Sequence, residues 1–203
     1  MAFSFYLNLE IIALKIVDKN IEQMTDANVF NNSHGTFCNE EKLENNLEHG
    51  MIVIIMLCNY IESLVNTILR DCIHCKREKL IKSNLEKKLN FIFSYYQKNM
   101  TKLVSCQNWT SLMHIRRIRN ELMHFKFNFV GDSGIGIPDI IIDNQPMQTI
   151  FTKSNMLKNA DEIKGFAEIL TSSLELSLNK DIGFIECDGS TDIVSYVYDS
   201  RIR

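Results

Sequence analysis

The stretch MIVIIMLCNYIESLVNTIL, residues 51–69, is the most hydrophobic part of the chain, and it decides the fold. Glu62 is its only charged residue. The intensely apolar part, residues 51–58, is shorter than the roughly 20 residues that a membrane span requires. We therefore predict a core helix over about residues 43–72, buried along most of residues 51–69.

Four other segments have apolar residues at three- and four-residue steps, which is the period of an amphipathic helix. They are residues 3–27, 80–95, 108–124 and 155–178. Asn108 or Thr110 could cap the third of them. Together with the core helix, these segments predict a mainly α fold, a helical bundle of four to five helices.

The pattern changes between the last two helices. Residues 125–130 alternate apolar and polar, and residues 135–142 are β-branched and punctuated by glycine and proline, which indicates a small hairpin or a structured loop. We thus expect a bundle over residues 1–178 with an insertion at about 126–154. Residues 28–41 are predicted to be a loop, and no structure is assigned to the tail, residues 179–203.

The composition is that of an ordinary globular protein, with 45% hydrophobic and 23% charged residues among 203. The net charge of −3 argues against a protein that coats nucleic acid by electrostatics alone. Three of the six cysteines lie in apolar or helical runs, which favours reduced thiols and a cytoplasmic location. The first ten residues lack a basic leader and a cleavage site, so we expect them to belong to the mature protein.

The segment RNELMH, residues 119–124, contains the chemically suggestive side chains. Arg119 lies beside the apolar stripe of its helix and needs an anionic partner, for which Glu62 is a candidate. Its planar fork suits a phosphate or a phosphorane. His124 falls in the last helical turn, where the helix dipole favours the protonated imidazole. Asn120 could orient that imidazole or a ribose hydroxyl.

These residues resemble the HEPN family, whose helical bundles carry an arginine and a histidine separated by four to six residues, commonly with a polar residue after the arginine. Arg119, Asn120 and His124 match that motif. The resemblance extends to the apolar second helix with Glu62 in LCNYIESLVN, residues 57–66. It covers roughly residues 3–178.

The resemblance implies a metal-independent endoribonuclease without a cofactor, in which two protomers form a homodimer and place two motifs around one cleft. The ribose 2′-hydroxyl would be the nucleophile, His124 the acid or base, and Arg119 the transition-state clamp. Such proteins act as toxins or in defence against phage, with an antitoxin or a larger defence-system partner. One subgroup often has a tyrosine two residues after the histidine; Lys126 stands there, so regulation through that tyrosine is not expected.

Other interpretations remain open at this point. Arg116, Arg117 and Lys126 could bind the RNA backbone, or the arginines could belong to a solvated basic face. The motif could also belong to a catalytically inactive helical dimerisation module that binds RNA or a partner protein. Cys72 and Cys75 have a spacing found in zinc sites, but no second closely spaced pair accompanies them, so no metal is expected, and no membrane contact.

Overall fold

A computed structural model describes residues 9–26, 29–32, 35–38, 40–124, 128–129, 140–179 and 184–186. Side chains are described within 9–26, 41–123, 141–145 and 147–176. Over these residues the protein is a mainly α-helical bundle, which confirms the fold class predicted from the apolar periodicity. Lys126 and most of the predicted tail lie outside the described residues.

Five longer helices and three single-turn helices make up the described bundle. In chain order they are α1 (Leu9–Gln23), α2 (Glu40–Thr67), α3 (Glu78–Ile81), α4 (Leu85–Tyr95), α5 (Thr101–Val104), α6 (Gln107–His124), α7 (Met147–Ile150) and α8 (Lys153–Ser173). A π-helical segment, Ile68–Cys72, continues α2. The helix predicted over residues 80–95 is broken, because the side chain of Asn84 accepts a hydrogen bond from the Lys87 N–H at 3.0 Å and so caps a new helix, α4.

Within the described ranges, short strands form three small antiparallel sheets. They pair β1 (Val29–Asn32) with β2 (Gly35–Cys38), β4 (Ile140–Ile142) with both β3 (Asn128–Phe129) and β5 (Gln145–Pro146), and β6 (Ser177–Asn179) with β7 (Phe184–Glu186). The second sheet lies in the predicted insertion. The first shows that the loop expected over residues 28–41 was wrong: Val29, Phe30, Thr36 and Phe37 favour strands, but four-residue strands are too short to show a period.

Helix α2 is the centre of the bundle, and Ile54, Leu57 and Leu64 on it are fully buried. It packs against α1, α6 and α8. The apolar run of residues 51–58 is part of a longer helix, and by length and composition alone Glu41–Cys72 could cross a membrane, so the shortness of that run does not argue against a span. Its interpretation as a core helix depends on burial instead, since 56% of its most apolar window is buried within the fold.

A buried amide fixes α1 against α2. Asn46 is fully buried, and its side chain accepts from the Thr25 N–H at 2.9 Å and donates to the Thr25 carbonyl at 2.6 Å. At the other end of the same contact, the Thr67 hydroxyl donates to Glu10 at 2.5 Å. Burial, then the charges of Glu10 and Glu168, raise the pKa of the nearby Tyr60. Such buried polar groups are costly when left unpaired, so these bonds help to set the register of the two helices.

Gly50 marks the closest approach of α2 to Phe151. A Cβ at Gly50 would lie 2.4 Å from Phe151 Cδ1, and the phenyl ring is fully buried. Alanine normally stabilises a helix by about 1 kcal/mol relative to glycine. We nevertheless expect Gly50→Ala to lower the free energy of unfolding by about 1–3 kcal/mol, because the added methyl group would overpack the core against the Phe151 ring. Urea unfolding would measure this change.

Gly165→Ala is the matched control for that substitution. A Cβ at Gly165 would lie 2.6 Å from Asn108 Nδ2, which is the end of a flexible side chain rather than a ring held in the core. Asn108 can swing away and lose only its hydrogen bond to the Glu162 carbonyl. The same bond shows that Asn108 ties α6 to α8 and is not the cap that its position suggested. Equal losses at the two glycines would contradict the interpretation of Gly50.

Candidate functional site

Arg119 points from α6 towards α2 and is held there on both sides. Its Nη1 lies 3.2 Å from Glu62 Oε1, and its Nη2 and Nε lie 3.0 and 3.3 Å from the side-chain oxygen of Asn120. The Arg119 side chain is 21% exposed. The structure therefore brings together three residues that the sequence singled out, Arg119, Asn120 and Glu62.

These contacts leave part of the guanidinium available. Of its five N–H bonds, three point to Glu62 or Asn120. Among the described side chains, one N–H on each terminal nitrogen of Arg119 has no acceptor. Each of these N–H groups can donate a charge-assisted hydrogen bond to an oxyanion, so Arg119 can bind one without releasing Glu62.

His124 is the last residue of α6, and its side chain lies outside those described. Its backbone position follows from helix geometry. It is one turn beyond Asn120 on the same ridge, whereas from Arg119 it is rotated by about 140° and displaced along the axis by about 7.5 Å. One helix end therefore does not put Arg119 and His124 side by side.

Two more cations surround the Arg119–Glu62 pair. Lys88 on α4 is buried and donates to Asn66 Oδ1 at 2.9 Å. Burial lowers the pKa of Lys88, and the nearby Glu62 opposes that effect. Lys88 was not singled out from the sequence. Its burial could have been predicted, because Lys88 follows Leu85 by three residues and so lies on the buried stripe of α4.

Arg116 is the other cation near the Arg119–Glu62 pair, and it lies one helical turn before Asn120 on α6. Its Nη1 lies 3.9 Å from Glu86 Oε1. Its Nε is buried and has no hydrogen-bond partner among the described residues. Three cations thus face two carboxylates between α2, α4 and α6, which leaves a positive balance suited to an anionic ligand.

Arg117 does not belong to this cluster. Its Nε donates to both carboxylate oxygens of Asp143, at 3.0 and 3.1 Å, on another side of α6. Consecutive helical residues are rotated by about 100°, so Arg116 and Arg117 cannot share a face. Arg116 is mostly buried and Arg117, although more than half exposed, is bound to the insertion, so the two do not form one solvated basic face, and their binding to the RNA backbone stays a prediction.

The described cysteines give no reactive thiolate at this cluster. Cys58 is buried next to Arg119, and burial raises the pKa of its thiol to about 11 although Arg119 and Arg116 lower it. The thiol thus remains protonated near neutral pH. Cys75 is also a free thiol.

Cys72 is disulfide-bonded. The expectation that the cysteines are all reduced was therefore wrong, and since a disulfide is typical of an oxidising compartment, the cysteines no longer favour the cytoplasm. The bonded sulfur is also not available to a zinc ion. No group of three or more His, Cys, Asp or Glu side chains that could hold a metal ion occurs within the described ranges.

Comparison of the chain with models of protein families, with curated proteins and with solved structures finds no match.

Proposed function

We propose that this protein is a metal-independent endoribonuclease of the HEPN type that uses Arg119, Asn120 and His124. The observation that carries the proposal is the state of Arg119, which Glu62 and Asn120 hold in place while two of its N–H groups stay available, on a helix that ends at His124. A positive fork fixed before the substrate arrives is suited to a phosphorane, because no reorganisation is needed as charge develops.

The proposed reaction is an intramolecular transfer within RNA. The ribose 2′-hydroxyl loses its proton and attacks the adjacent phosphorus, while the bond from phosphorus to the 5′-oxygen breaks and that oxygen takes up a proton. The products are a 2′,3′-cyclic phosphate and a 5′-hydroxyl. His124 transfers a proton, Arg119 binds the non-bridging oxygens, and Asn120 orients the imidazole or the ribose hydroxyl.

The first test is the chemistry of cleavage. We expect the protein to cut RNA in the presence of EDTA, to leave 2′,3′-cyclic phosphate ends, and to spare DNA of the same sequence, because the nucleophile is the 2′-hydroxyl. Labelled oligonucleotides on denaturing gels would follow the cleavage, and mass spectrometry would identify the ends. An RNA with a 2′-O-methyl group at the cleaved position is the matched control. Loss of cleavage in EDTA, or cleavage of the DNA, would contradict the proposal.

A homodimer is part of the proposal, because the rotation between Arg119 and His124 separates them on one helix end. An isologous contact would bring two such helix ends around one cleft. Met123, which lies inside the motif and is 60% exposed, offers an apolar contact for it.

We expect Met123→Asp to separate the dimer and abolish cleavage, because a carboxylate would be buried in the contact. Leu157→Asp is the control, since Leu157 is also exposed but lies on α8. Light scattering at micromolar concentration would give the mass of each variant. A parent protein that is monomeric and fully active would rule out the dimer.

The second candidate is a catalytically inactive helical dimerisation module that binds RNA or a partner protein. The same exposed Met123 and the neutralisation of Arg119 by Glu62 favour it. RNA binding in a native gel-shift assay, without any cleavage in the assay above, would decide for it. For the enzyme, we propose a role as a toxin or anti-phage effector. Growth arrest on expression, relieved by His124→Ala, would test that role.

A further inference from the structure

A polar pocket of about 340 Å³ lies between α6 and α8 and is bounded by the insertion. The pocket is on a different side of α6 from Arg119. Its lining residues on that helix all come before Arg119 in the sequence and form a different ridge of the helix. Most of the lining is polar or charged, including His114, Arg117, Gln145, Lys158, Asn159 and Glu162. An apolar ligand would therefore displace water from the polar groups of the pocket without replacing their hydrogen bonds.

Asp143 fixes two of the lining side chains. Its carboxylate lies 2.5 Å from His114 Nδ1 and accepts both bonds from Arg117 Nε. Burial would raise the pKa of Asp143, but the hydrogen bonds from Arg117 and His114 outweigh it and lower that pKa. The carboxylate is therefore ionised at neutral pH and keeps both side chains in position.

The backbone at Asp143 is fixed as well. Asp143 and Asn144 form the turn between β4 and β5 with φ of 47° and 63°, a two-residue hairpin connection in which both residues have positive φ. Aspartate and asparagine adopt this region more readily than most residues. The Asp143 N–H donates to Glu121 on α6 at 2.9 Å, so the turn is fastened to the helix that carries His114 and Arg117.

The groups left for a ligand are mainly donors. Only Nε of Arg117 contacts Asp143, so within the described part of the chain both terminal nitrogens of Arg117 have no acceptor. Lys158 is 72% exposed, and its nearest carboxylate, Glu162, is 4.0 Å away. Among the same residues, His114 Nε2 also has no partner. Two cations and an imidazole thus line the pocket. Of the two carboxylates near them, Asp143 is bonded to Arg117 and His114, and Glu162, which lines the pocket, lies 4.0 Å from Lys158 and offsets part of its charge.

We propose that this pocket binds a phosphate-bearing ligand of mononucleotide size, with Arg117 and Lys158 on the phosphate. Several donors around one cavity match the three terminal oxygens of a phosphate monoester. The volume is at the lower end of small-molecule sites, and amide side chains such as Gln145 and Asn159 remain for the rest of the ligand. This proposal does not depend on the ribonuclease activity, because it uses neither Arg119 nor His124.

Titration calorimetry of the whole protein with the four nucleoside 5′-monophosphates, their nucleosides and inorganic phosphate would test it. We expect at least one monophosphate to bind, and its nucleoside and inorganic phosphate each to bind at least tenfold more weakly. Arg117→Gln and Lys158→Gln should each weaken the monophosphate at least tenfold. Both side chains are more than half exposed, so the variants should fold. Lys164→Gln is the control, since Lys164 pairs with Asp18 on α1.

Several results would overturn the assignment. They are an absence of binding for all four monophosphates at millimolar concentration, a nucleoside that binds as well as its monophosphate, or affinity that survives both pocket substitutions. Inorganic phosphate binding as tightly as the best monophosphate would refute the ligand size. His124→Ala should retain the binding, so failure of the ribonuclease and failure of the pocket give different outcomes.

Discussion

Replacing His124 with alanine is expected to slow RNA cleavage by about 10²–10⁴-fold, because the proton-transfer group of the proposed reaction is removed. Stability should change little. His124 is the final residue of α6, and among the described side chains the buried stripe of that helix ends at Leu122. Single-turnover cleavage at saturating protein would measure the rate, and thermal melting would check the fold.

The pH dependence of cleavage distinguishes a proton-transfer role from a structural one. The parent should lose rate on at least one side of its pH optimum as His124 titrates, and this limb should disappear from the residual activity of His124→Ala. His49→Ala is the matched control, because His49 bonds to Asn20 between α1 and α2, away from the motif. A folded His124→Ala protein that cleaves at the parent rate would remove His124 from the mechanism.

Much of the helical fold could be predicted because burial imposes a period on the sequence. Residues 108–124 show it clearly, and Leu112, Ile115 and Ile118 are all fully buried. The break before α4 was missed because apolar positions recur across it from Leu80 to Leu89, and only the Asn84 cap reveals the new helix. A local cap thus overrides a period that continues on both sides.

The two sides of α6 differ in how far the sequence reveals their contacts. The pairing of Arg119 with Glu62 could be expected, because an arginine beside an apolar stripe needs an anion and residues 51–69 offer only one. The pairing of His114 with Asp143 could not. These residues are 29 positions apart, and the insertion between them has no fixed period, so only the folded hairpin determines where Asp143 lies.

Replacing Arg119 tests the catalytic and the structural role of the same side chain. We expect Arg119→Ala to slow cleavage by about 10²–10³-fold, as removal of a preorganised oxyanion donor does. It should also lower the free energy of unfolding by roughly 1 kcal/mol, because Glu62 loses its partner in a site that solvent still reaches. Arg119→Lys should recover part of the stability but little of the rate, since an ammonium cannot present two parallel N–H groups to a phosphorane.

The double variant Arg119→Ala/Glu62→Gln separates the two effects. Glutamine removes the unpaired charge, so the stability lost in Arg119→Ala should largely return, as a double-mutant cycle would show. Cleavage should stay low, because the clamp on the phosphorane is still absent. Urea unfolding and single-turnover cleavage on the same four proteins would give both quantities. If cleavage returned together with stability, Arg119 would act only by supporting the bundle, and the phosphorane would have to be stabilised by another group.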